Sequence, residues 1–213
     1  MKMMPQANCL DKSKVWDQLE GLWAEVVTAA QAGTAAHAIE GKLLRGVLKL
    51  GYELLGCFFR LVGSGDVGPQ TTLSDGRVVK RLKAEHTRPY QSVFGDFELA
   101  RWVYGTREEQ RIEYVPVDER LQLPESSFSY LLQDWAQELV TALPPQSVAQ
   151  ILEKILGISV SVSALERMNR AMAETVEPDW ERMSPMPAPD GQFLVASADG
   201  KGVPIRKPPT TAP

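Results

Sequence analysis

Phe97-Glu98-Leu99-Ala100-Arg101-Trp102-Val103-Tyr104 decides the fold class. The stretch alternates with period two, the repeat of a half-buried strand, and is rich in aromatic and branched residues. Arg111-Ile112-Glu113-Tyr114-Val115 repeats the alternation. Upstream, Thr71-Thr72-Leu73, Ser74-Asp75-Gly76 and Arg77 to Leu82 read as two short strands around a glycine turn. Residues 63–125 are therefore expected to form a small antiparallel β-sheet with one solvated face. Gly63 to Pro69 lacks the Gly-Lys-Ser/Thr of a phosphate loop and reads as a linker and turn.

Outward from this centre the period changes to that of helices. Trp16, Leu19, Leu22, Trp23, Val26 and Val27 recur at helical spacing. Ile39, Leu43, Val47, Leu50, Leu54 and Phe58 do the same within a longer helix over about 35–61. Residues 1–62 thus read as a helical hairpin broken at Gly33-Thr34. Its apolar stripe suits either the core of one chain or a coiled seam with a second copy.

Helices return over 126–183. Phe128, Leu131, Leu132, Trp135, Leu139 and Val140 form one face, and Pro144-Pro145 stops that helix. Ser147-Val148-Ala149-Gln150 has the form of a capping box opening the next, which ends near Gly157. Ser161 or Ser163 caps a third, expected to end at about Val176, before Pro178. Three prolines in 184–191 mark a linker. Phe193 to Ala198 then reads as a short buried strand, with Asp199 at its carboxyl end and Gly200 and Gly202 opening a turn.

Composition narrows the function classes. The chain has 213 residues, 44% of them hydrophobic, which suits a packed core rather than wholesale disorder. Its net charge of −4 argues against a generally basic nucleic-acid binder, so DNA contact requires a local patch. Two cysteines and two histidines occur without CxxC or HxxxH spacing, against a zinc site. Charges interrupt the longest apolar region, and the first residues lack an apolar signal-peptide core, so no membrane partner and a reduced cytoplasmic setting are expected.

Three features carry chemistry. The helix, glycine turn, serine cap and second helix around Gly157 have the layout of a helix-turn-helix. Leu165, Met168 and Met172 would face the first helix, with Arg167 and Arg170 on the other side and Asn169 flanking. Arginine can read guanine edges and asparagine adenine edges. An ordinary helical hairpin with solvated arginines has the same spacing. The strip 77–90 holds Arg77, Lys80, Arg81, Lys83 and Arg88 against one acid, Glu85. Lys80, Arg81 and Lys83 are candidate phosphate contacts, and a solvated sheet face is the alternative. Asp199 sits where metal-dependent phosphoryl-transfer enzymes place a ligand, although Asp-Gly also marks plain turns.

An ordered set of segments resembles the transposases of ISKra-type insertion sequences. They are Gly65-Asp66-Val67-Gly68-Pro69, Leu73-Ser74-Asp75-Gly76, Arg88-Pro89-Tyr90-Gln91-Ser92-Val93-Phe94-Gly95, Arg101-Trp102-Val103-Tyr104, Pro116-Val117-Asp118, Leu121-Gln122-Leu123-Pro124, Ser129-Tyr130 and Asp199 to Arg206. Order and approximate spacing agree from about Leu61 onward. The resemblance implies a bacterial DDE transposase, with a helical DNA-contacting region before a ribonuclease-H-like domain whose Asp-Asp-Glu carboxylates hold two divalent ions.

By the same resemblance, Asp199 matches the first catalytic carboxylate and metal ligand. The second aspartate and the glutamate lack counterparts, so 184–213 is expected to be a linker and the truncated start of the catalytic domain. The implied fold class is α+β: a mostly helical N-terminal region with a small antiparallel sheet and a helix-turn-helix-like pair, ending in the first strand of that domain. The implied function is binding of double-stranded element-end DNA, in the cytoplasm and on the nucleoid when bound. No cofactor is expected for this chain alone, and Mg²⁺ belongs to a full-length relative. The rival expectation is a non-catalytic dimerising module, or an inert remnant of a mobile element. A complete metal-dependent nuclease ranks below both.

Overall fold

Apolar residues at three- and four-residue intervals, with few β-branched runs, build two helices at the start of the described chain. In the computed structural model the described residues are 13–106 and 112–182, with side chains described only up to Glu174 in the last helix. Helix α1 spans Ser13–Gln31 and α2 spans Ala36–Val62. They pack as a hairpin across the short connection the sequence marks at Gly33-Thr34.

Strands β1 (Gln70–Thr72) and β2 (Val78–Arg81) pair antiparallel, with Thr71 opposite Val79. Strand β5 (Tyr104–Gly105) joins the other edge of β2, with Arg81 opposite Tyr104. A second, two-stranded sheet forms from β3 (His86–Ser92) and β4 (Gly95–Arg101), with Tyr90 opposite Phe97. The single expected sheet is thus two. The alternating stretch 97–104 divides after Arg101, where the Trp102 N–H leaves the ladder and donates to the Ser64 carbonyl at 2.8 Å. Val103 and Tyr104 then enter the buried edge beside β2. The expected strand at 111–115 reduces, among the described residues, to a bridge between Tyr104 and Tyr114.

A five-residue helix, α3 (Pro116–Arg120), follows with Pro116 in its first turn and Val117 buried. Helices α4 (Tyr130–Ala142), α5 (Pro145–Leu156) and α6 (Val162–Arg182) complete the described chain. Two expectations need correction. Helix α5 opens at Pro145, two residues before the expected box, because a proline needs no donor and has a preset φ in the first helical position. Helix α6 continues through Pro178 to Arg182: the fixed φ of proline is itself helical, and its missing donor and the crowding of the carbonyl four residues back do not end the helix here.

The main core is helical. Leu132 and Ala136 of α4, Val148 and Leu152 of α5, and Ala164, Leu165 and Met168 of α6 bury one another, with Val93 from the tip of the β3–β4 hairpin inserted among them. Sheet and helices are also stitched by backbone. The Gln91 N–H donates to the Ser127 carbonyl at 2.7 Å, and the Ser129 N–H donates back to the Gln91 carbonyl at 2.8 Å. The chain divides into two units, Met1–Ala173 and Glu174–Pro213. The architecture is mixed α+β.

Candidate nucleic-acid interface

The turn between α5 and α6 is set locally. Gly157 ends α5 in the left-handed region at φ +71°, which a side chain disfavours, and its N–H donates to the Glu153 carbonyl at 2.9 Å. Ile158 and Val160 alternate inward and are buried, while Ser159 faces out. The Ser161 hydroxyl accepts the Ala164 N–H at 3.2 Å, satisfying a donor of the first turn of α6. A contact not legible in the sequence pins this turn: the Gln91 side-chain amide on β3 donates to the Ser159 carbonyl at 3.1 Å. Sequence spacing carries no signal for a pair 68 residues apart.

On α6, Ala164, Leu165 and Met168 form the buried face. Arg167, Asn169 and Arg170 are all exposed. At roughly 100° per residue, Arg170 points directly away from the buried face, and Arg167 and Asn169 lie on its two flanks. Neither arginine forms an ion pair among the described residues. The acids Glu166 and Glu174 share the exposed side. Helices α4 and α5 hold α6 through the core, so the exposed trio stands on a rigid three-helix support.

The basic strip behaves differently from its composition. Arg77 pairs with Asp75 at 2.7 Å and with Glu113. Arg88 pairs with Asp118 at 2.9 Å. Arg81, one of the candidate phosphate contacts, bonds Asp66 and lies 4.5 Å above the centre of the Trp102 ring. The Asp66 carboxyl is lowered, first by the Gly68 N–H it accepts at 2.9 Å and then by the Arg81 charge. Beside it, buried Tyr104 donates to the Gly68 carbonyl at 2.9 Å and accepts the Val67 N–H at 3.0 Å. Burial pushes its phenol upward. The three arginines thus knit the 63–69 loop, the sheets and α3 together. Lys80 and Lys83 are exposed. They lie on β2 and just past its end.

Asp199 lies outside the described residues. Among the described residues, no three His, Cys, Asp or Glu side chains gather to hold a metal ion. No helix among them is long and apolar enough to cross a membrane. No family model, no curated protein and no solved structure matches the chain.

Proposed function

We propose that this chain is the DNA-recognition portion of an insertion-sequence transposase and binds double-stranded DNA at the ends of its element. The family part of the reading rests on the ordered sequence segments that resemble ISKra-type transposases. The DNA part rests on one observation: α6 buries Ala164, Leu165 and Met168 and leaves Arg167, Asn169 and Arg170 exposed beyond a glycine turn. Those three side chains supply the guanine and adenine readers of a major-groove helix. Lys80 and Lys83 are the phosphate contacts in this reading, and Arg81 acts by shaping the loop before β1. The role of Asp199 as a metal-binding carboxylate belongs to the same resemblance, and the DNA proposal does not depend on it.

The test is binding of the purified chain to a duplex carrying the terminal repeats that flank its gene. Affinity is expected to fall steeply as salt rises, because each phosphate contact releases counterions. Failure to bind that duplex at low salt would overturn the reading.

A further inference from the structure

Helix α2 has 27 residues and none of them is buried, and α1 buries only Leu22. Both helices nevertheless carry large apolar side chains in the open. On α1 these are Trp16, Leu19, Trp23 and Val27, with Trp23 69% exposed. On α2 the stripe is Leu44, Val47, Leu54, Phe58 and Leu61, while Tyr52, 36% exposed, stacks on Phe97 instead. The α2 set is spaced by threes and fours once Gly51 is included, the spacing of a helix–helix seam. At Gly51 the seam is filled from outside the helix by the Phe94 ring, which a β-carbon there would meet at 2.5 Å.

The two stripes lie on one side of the hairpin. Leu22 and Gly46 mark where the helices face each other, because a β-carbon on Gly46 would come within 2.0 Å of the Leu22 side chain. At roughly 100° per residue, the exposed residues of α1 lie about 60–140° beyond Leu22. Those of α2 lie about 60–160° beyond Gly46 in the same rotational sense. In an antiparallel pair, equal offsets in the same sense point both stripes to the same side.

We infer that this two-helix face is the self-association surface of the chain, closed by a second copy about a two-fold axis. The size of the face selects a second copy as occupant. The nine side chains, about half exposed, present on the order of 800 Å² of apolar surface. That equals the roughly 800 Å² per partner of a stable interface and exceeds the largest patch of an ordinary monomer, about 300–600 Å². A two-fold pairing that sets α1 of one copy beside α2 of the other closes a four-helix bundle. The face is also self-contained on residues 16–61, so the inference does not depend on DNA binding.

Sedimentation equilibrium on the whole chain at micromolar concentration tests this. The expected mass is twice 23.6 kDa. Trp23→Glu with Phe58→Glu is expected to give the monomer mass with an unchanged helical circular-dichroism signal, because both positions are exposed within one chain. If that pair of changes unfolds the hairpin, Val47→Gln with Trp16→Gln provides the milder variant and is expected to weaken dimerisation at least tenfold. A monomeric parent chain would overturn the inference, whether the face is then covered by another partner, a lipid or the chain itself. So would a folded variant that dimerises as tightly as the parent.

Discussion

Arg88 on β3 meets Asp118 of α3 at 2.9 Å, joining segments 30 residues apart. The same guanidinium donates to the carbonyls of Pro124 and Ser126, the latter at 2.7 Å. Arg101 on β4 bonds the same Asp118 oxygen. One carboxylate and two arginines therefore clamp α3 and the 121–129 segment onto the second sheet. Arg88 and Asp118 are 12% and 20% exposed, so water does little to soften the loss of either.

Arg88→Met is accordingly expected to lower stability by about 2–4 kcal/mol, since it strands two carbonyls and half-strips a shielded acid. Lys80→Met, on an exposed strand position, is expected to change it by less than about 0.5 kcal/mol. Urea unfolding followed by circular dichroism separates the two, and equal effects would show that Arg88 is not structural.

Helix caps give a second comparison. The Ser129 hydroxyl accepts the Leu132 N–H at 3.1 Å and caps α4. The Ser161 hydroxyl does the same for α6. Replacement of either by alanine is expected to cost about 1 kcal/mol. Ser147 has the sequence context of a cap but sits inside α5, so Ser147→Ala is expected to stay within about 0.5 kcal/mol of the parent. Thermal melts of the three variants check the ranking.

Acid sensitivity follows from Asp66 and Glu113. The Gly68 N–H, and after it Arg81, hold the Asp66 carboxyl low. The Thr106 hydroxyl, 2.6 Å away, and the Thr106 N–H hold the Glu113 carboxyl low. Both groups bind protons less readily in the folded chain than in the unfolded one. Their stabilisation is therefore present above the unfolded value of about 4 and is lost as pH falls through the lower folded value. Stability is expected to hold at neutral pH and decline below about pH 4, with a shallower decline in Asp66→Asn. Carboxyl titration by NMR checks the cause; an Asp66 midpoint at or above about 3.9 would contradict it.

What could be read from the sequence was local. The periods of 16–27 and 39–58 placed α1 and α2, and Gly157 and Ser161 placed the α5–α6 turn, because each depends on residues within a few positions. What could not be read was long-range. The break after Arg101 depends on Ser64, and α3 is held by arginines from two strands. The basic strip looked like a phosphate track because composition counts cations. Whether Arg77, Arg81 and Arg88 are spoken for depends on Glu113, Asp66 and Asp118, and two of these come from distant segments. The exposure of Arg167, Asn169 and Arg170 was legible because the buried face of α6 follows from its own spacing.

Charge reversal on α6 tests that trio most directly. Arg167→Glu with Arg170→Glu leaves the buried residues of α6 untouched, so the melting behaviour should stay that of the parent. Measured by fluorescence anisotropy on the element-end duplex, the double variant is expected to lose at least a hundredfold in affinity, on the order of 3 kcal/mol for two reading contacts. Binding equal to the parent would show that α6 does not read DNA.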